Sequence, residues 1–284
     1  MRLAWSHPLP APPAGLSFSR EAGTILVWDA EPALGRYGPL GDRELRQRAP
    51  ADLLLAALAD DGRTVAAVGR KGEVWLLTAD LVPIWQRALP RRPVALALDH
   101  LGTRLAVADE AGGLHLFDRA GKLRWQVSAA RPLAHLAFVP EAGALVGAAE
   151  FGLVGAFDGS GHCVWRDGLV AHVGGLSVSG DGRRIVLACF TGGLCRYALD
   201  RPQHELFADA GPARLAALSY TGDVLVTADL ERTLSRRGPD LAVRATLALP
   251  GAPVGLAVEA LGEAAVCALA SGQLVRVELG GEKR

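Results

Sequence analysis

A glycine recurs along this chain at Gly23, Gly62, Gly102, Gly143, Gly182, Gly222 and Gly262. The spacings of 39, 40, 41, 39, 40 and 40 residues mark a repeated structural unit. Periods of this length belong to stacked or circular arrays, in which each unit buries its apolar face against its neighbours. Glycine at a fixed place in each unit points to a tight turn between strands. There φ is positive and a Cβ is costly.

The unit is clearest from Pro93 to Pro132. Its apolar runs, Val94–Leu98, Leu105–Ala108, Leu114–Phe117 and Leu123–Val127, are separated by Gly102, by Gly112-Gly113 and by Gly121. Short apolar runs bounded by such turns read as strands. Leu16-Ser17-Phe18-Ser19 and Leu176-Ser177-Val178-Ser179 alternate with period two. Val94–Leu98 and Val65–Val68 are apolar throughout, as strands covered on both faces are. Leu53–Ala59 is alanine-rich and read alone would pass for a helix, since alanine is a weak strand former. The repeat assigns it to a strand.

Two further ladders keep the same register. Trp85, Trp125 and Trp165 stand 40 residues apart; Trp5 lies on that grid, with Leu45 in the slot between Trp5 and Trp85. Pro13, Pro50, Pro93, Pro132, Pro212 and Pro253 each stand just before the first strand of a unit. A residue that cannot donate a ladder hydrogen bond is tolerated there.

The units run 13–49, 50–92, 93–132, 133–172, 173–211, 212–252 and 253–284. The seventh holds only three strands, near Val254–Val258, Ala264–Ala268 and Leu274–Val277. An unassigned strand, Arg2–Ser6, stands at the other end of the chain with Trp5 on the fourth-strand grid. Joining the two ends completes the seventh unit and removes an exposed sheet edge. The expected fold is all-β: a seven-bladed β-propeller of four-stranded antiparallel blades in one domain, residues 1–284, closed by the N-terminal strand.

Thirty basic and 30 acidic residues give zero formal charge, hence no broad field to attract nucleic acid or an anionic membrane. MRLAWSHPLPAPP lacks the long apolar stretch of a secretory signal, and Leu53–Ala59 is too short to span a bilayer. A cytoplasmic, monomeric protein is expected. Cys163, Cys189, Cys195 and Cys267 read as small hydrophobes in a reducing compartment. Cys189 and Cys195, flanking Thr191-Gly192-Gly193, could also face each other across a hairpin.

Phe117-Asp118-Arg119-Ala120-Gly121-Lys122-Leu123-Arg124-Trp125 and Phe157-Asp158-Gly159-Ser160-Gly161-His162-Cys163-Val164-Trp165 share an aromatic-Asp pair, a glycine turn and a tryptophan. This resembles the quinoprotein-like (PQQ-like) repeat, in which the tryptophan packs between blades. Asp61-Gly62-Arg63-Thr64-Val65 and Asp181-Gly182-Arg183-Arg184-Ile185 resemble WD-repeat proteins. The Gly-His pair of the WD repeat is absent, and the only Trp-Asp, Trp28-Asp29, closes a second strand instead of a third. The resemblance implies the scaffold and no quinone cofactor.

Propellers bind at the loops joining second to third and fourth to first strands. The second strands are expected to end at Asp29, Gly69, Asp109, Glu150, Cys189, Asp229 and Leu269, with Arg70, Lys71, Glu110, Glu231 and Arg232 beside them. Arg91, Arg92, Arg131, His172 and Asp209 lie in the other loops. From this mixed-charge rim we single out Asp29, Arg70, Arg91, Asp109, Glu110, Arg131, Glu150, His172, Asp229 and Arg232 as binding candidates. The preferred expectation is a non-catalytic scaffold for a protein or peptide partner. The alternative is a small-molecule- or metal-binding propeller enzyme, a hydrolase or lyase, in which Asp29, Asp109, Glu150 and Asp229 converge on a hard cation. The chain carries no P-loop or Gly-x-Gly-x-x-Gly motif. His115 and His135 fall within strands and read as packed side chains.

Overall fold

The computed structural model describes residues 1–49 and 52–280. Pro50, Ala51 and residues 281–284 lie outside them. Among the described residues the strands form seven four-stranded antiparallel sheets. Six are meanders in chain order. The seventh takes its inner three strands, Pro253–Val258, Ala264–Leu269 and Gln273–Glu278, from the end of the chain and its outermost, Arg2–Pro8, from the beginning. Trp5 pairs with Arg276, and Ser6 with Val275. The ring of seven blades is therefore closed by the N-terminal strand. No helix of the described residues is long and apolar enough to cross a membrane.

The turn glycines explain the register. All seven sit between first and second strands with φ between 62° and 76°, a region where any other residue is strained. Leu53–Leu58 is a strand, because its neighbours in the repeat supply both of its covered faces. The second strands are the most deeply buried: every residue of Thr64–Gly69, Ala144–Ala149 and Ala264–Leu269 is buried. Pro13, Pro93 and Pro253 are the first residues of first strands.

Blades are joined by a recurring latch. Trp85 Nε1 donates to Arg119 O (3.0 Å), Trp125 Nε1 to Gly159 O (3.0 Å) and Trp165 Nε1 to Leu199 O (2.8 Å). Each acceptor belongs to the turn between third and fourth strands of the next blade. Gly121 and Gly161 leave room for the rings: a Cβ there would come within 2.8 Å of Trp85 and 2.7 Å of Trp125. Where the tryptophan slot holds Leu45 or Glu205, an arginine from the third strand reaches the matching turn instead. Arg36 Nη1 donates to Ala79 O at 2.6 Å, and Arg196 Nη1 to Pro239 O at 3.2 Å. At the closure His7 Nε2 lies 3.0 Å from Leu40 O.

Thirty-two residues after each outer slot comes the side chain that faces it. Trp85 meets Phe117 (ring centroids 5.8 Å apart), and Trp165 stacks on Tyr197 (5.7 Å, 8° between planes). Trp125 packs with Phe157, and Trp5 with Tyr37. Leu45 and Leu77 share a cluster. Apolar burial of this kind is the main force holding the ring together.

Candidate functional site

The end of the ring formed by the expected loops carries all ten candidates, but three of the five acids there are anchored locally. Asp29 Oδ1 accepts the backbone N–H groups of Glu31 and Ala33, both at 3.0 Å, while Oδ2 accepts from Arg46 at 2.9 Å. Asp109 Oδ1 accepts from Ala111 (2.9 Å) and Gly113 (2.8 Å), and Oδ2 lies 2.9 Å from His115 Nε2. Asp229 Oδ1 accepts from Thr233 N–H at 2.8 Å. Each carboxylate thus braces the hairpin that follows its own second strand. Glu150 and Asp229 stand one residue beyond those strands, which end at Ala149 and Ala228. Glu150 and Glu110 are exposed. Among the described residues no three His, Cys, Asp or Glu side chains gather closely enough to hold a metal ion.

Asp109 and His115 are both only 3 % exposed. Burial by itself raises a carboxyl pKa, but the His115 hydrogen bond and the N–H groups of Gly113 and Ala111 outweigh it and hold Asp109 below the ordinary carboxylate value. A group whose folded pKa is depressed stabilises the fold above its unfolded pKa, near 4, and loses that contribution as pH falls through the folded value. Thermal melts across acidic pH should therefore show stability falling below about pH 4. Asp109→Asn should flatten that limb while costing about 1–3 kcal/mol at pH 7. An unchanged acid limb would contradict the pairing.

The cations behave differently. Arg70 stands 3.5 Å from Asp52. Arg91, Arg92, Arg131 and Arg232 are exposed and make no ion pair within 4.0 Å among the described residues. Arg232 has φ 69°, and its carbonyl accepts the Leu249 N–H at 2.8 Å. Elsewhere arginines are commonly matched. Arg20 forks onto Asp60, Arg104 meets Asp99 at 3.1 Å, and Arg184 meets Asp223 at 3.1 Å.

No family model and no curated protein matches this sequence.

Sequence reasoning passed over an apolar sector between blades 4 and 5. Phe151 packs on His172 with ring centroids 4.9 Å apart, Val170 is 87 % exposed, and the Arg131 guanidinium lies over Gly152. Phe190 covers Gly174, where a Cβ would come within 2.9 Å of its ring. Phe151 and Phe190 occupy the turn slot held elsewhere by Ala30, Arg70, Glu110, Leu230 and Ala270. That change of character within one slot was the available signal.

The first strands enclose cavities of about 510 and 280 Å³ along the axis. Leu16, Leu96, Leu136, Leu176 and Leu256 line them, on a 40-residue grid whose other two positions are Ala56 and Ala216, so the wall is largely aliphatic. His135 Nε2 lies 3.2 Å from Val173 O, and burial pulls its pKa down. Cys189 and Cys195 are diagonal neighbours on one face of their hairpin, since Cys195 pairs with Leu187 and Cys189 with Gly193. Both are buried free thiols.

Proposed function

We propose that this chain is a non-catalytic propeller that holds a protein or peptide partner on the face formed by the second-to-third and fourth-to-first loops. The observation that carries the reading is the row of exposed, unpaired arginines, Arg91, Arg92 and Arg131, leading to the exposed Phe151, His172 and Val170. Unpaired surface cations orient an incoming acidic partner and speed its approach. Apolar side chains exposed beside them supply the burial that lowers the off-rate. The partner that fits is an acidic segment carrying aliphatic or aromatic side chains. Three of the four carboxylates that could have served a reaction, Asp29, Asp109 and Asp229, are engaged with their own hairpins, which favours a binding role over the enzyme reading. The tryptophan latches support kinship with quinoprotein-like or WD-like repeats as a scaffold.

The test is capture from native lysate at low salt, with wild type and the Arg91→Glu/Arg92→Glu/Arg131→Glu variant side by side. A specific partner should be held by wild type, lost from the variant and weakened in 0.5 M salt, because exposed charges are screened beyond a few ångströms there. Failure to recover any reproducible partner, or equal capture by the variant, would count against the proposal.

A further inference from the structure

The seam between blades 5 and 6 departs from every other seam that carries an aromatic pair. Its outer slot holds Glu205 and its facing slot, thirty-two residues on, holds Arg237. Glu205 turns to Arg196 and not to Arg237. Between the outer strands of this seam lies a groove of about 420 Å³. Leu206, Phe207, Leu241 and Val243 form its walls and Arg237 lines it.

Arg237 is only 6 % exposed. Nε donates to Thr227 Oγ1 (3.1 Å), Nη1 to Leu241 O (3.0 Å) and Nη2 to Ala210 O (2.7 Å). All three acceptors are neutral. A guanidinium has five N–H groups, so each terminal nitrogen keeps one to spare. No carboxylate of the described residues lies within 4.0 Å of it. Asp240 also lines the groove, but it is held by Arg244 at 2.7 Å, and Asp209 is exposed to water. A buried cation without a counter-charge is costly, and burial alone pulls its pKa below the ordinary arginine value. Meanwhile Leu206 and Val243, at 55 % and 48 % exposure, leave apolar surface in water beside it.

We propose that this groove binds a small organic monocarboxylate with an apolar body, its carboxylate on the spare N–H groups of Arg237 and its body against Leu206, Phe207 and Val243. One buried guanidinium matches one negative charge through a charge-assisted hydrogen bond. The volume lies within the range of small-molecule sites. Ala208–Ala210, from a fourth-to-first loop, form part of its lining, but none of the ten rim candidates does, so the site does not depend on the proposed scaffold function.

The probe is 4-phenylbutanoate, compared with 4-phenylbutan-1-ol and with acetate, by ligand-observed NMR and thermal shift on the full chain. The aryl acid should bind at least about tenfold more tightly than either control. Leu206→Asp, on an exposed outer-strand position, should fold normally and lose at least about tenfold in affinity. Arg237→Met should abolish the preference for acid over alcohol. If Arg237→Met does not fold, the alcohol comparison and Leu206→Asp still decide. Equal binding of acid and alcohol, binding of acetate as tight as the aryl acid, absence of binding, or an unaffected Leu206→Asp variant would each overturn the proposal.

Discussion

Removing residues 1–10 is expected to drive the chain into aggregates or to lower its melting temperature by more than about 10 °C. The deleted strand is paired at six positions with Gln273–Glu278. Its loss turns that strand into an open edge, a template for pairing with another chain. At about 0.5–1.5 kcal/mol for each backbone hydrogen bond, several such bonds amount to roughly 5 kcal/mol. The packing of Trp5 against the cluster of Phe18, Tyr37 and Leu274 goes with them. Since whole domains are stable by only about 5–15 kcal/mol, this is a large fraction of the total. Size-exclusion chromatography and thermal unfolding make the comparison. A truncated chain that stays monomeric and melts like the parent would mean that the ring does not depend on its closure.

Trp165→Ala should be the most damaging single substitution among the blade latches. The indole is 8 % exposed, stacks on Tyr197 and donates to Leu199 O. Trp-to-Ala changes in a packed core cost about 3–5 kcal/mol, because the cavity is only partly refilled. For a chain of this size that is a fall of roughly 10 °C in melting temperature. Leu45→Ala, in the corresponding slot of blade 1, should cost less, because Arg36 already makes the hydrogen bond to the neighbouring turn. Equilibrium denaturation of both variants provides the test. A loss below about 1 kcal/mol for Trp165→Ala would remove the latch as a main source of stability.

Much of the architecture was legible in the amino-acid order because it depends on local backbone needs repeated at fixed intervals. Gly23 and its six counterparts occupy turns that demand positive φ, and Trp5 keeps the register of Trp85, Trp125 and Trp165 across the chain ends. Those constraints hold whatever surrounds them, so they identify strands, blade number and closure together. The rim was legible only as a list of charges. Which of them are spent depends on the path of each turn. Asp109 takes N–H groups two and four residues ahead and a histidine six residues ahead, whereas Arg91 and Arg131 meet no acid among the described residues.

The seam between blades 5 and 6 belonged entirely to tertiary structure. Glu205 and Arg237 are opposite charges 32 residues apart, in the slots that face each other across the other seams. The fold gives Glu205 to Arg196 and seals Arg237 among neutral oxygens beside an open groove. Periodicity reports where the backbone must turn, because each turn answers to its own few residues. Whether a charge ends up matched or stranded is set by packing between blades, through contacts that no single repeat contains.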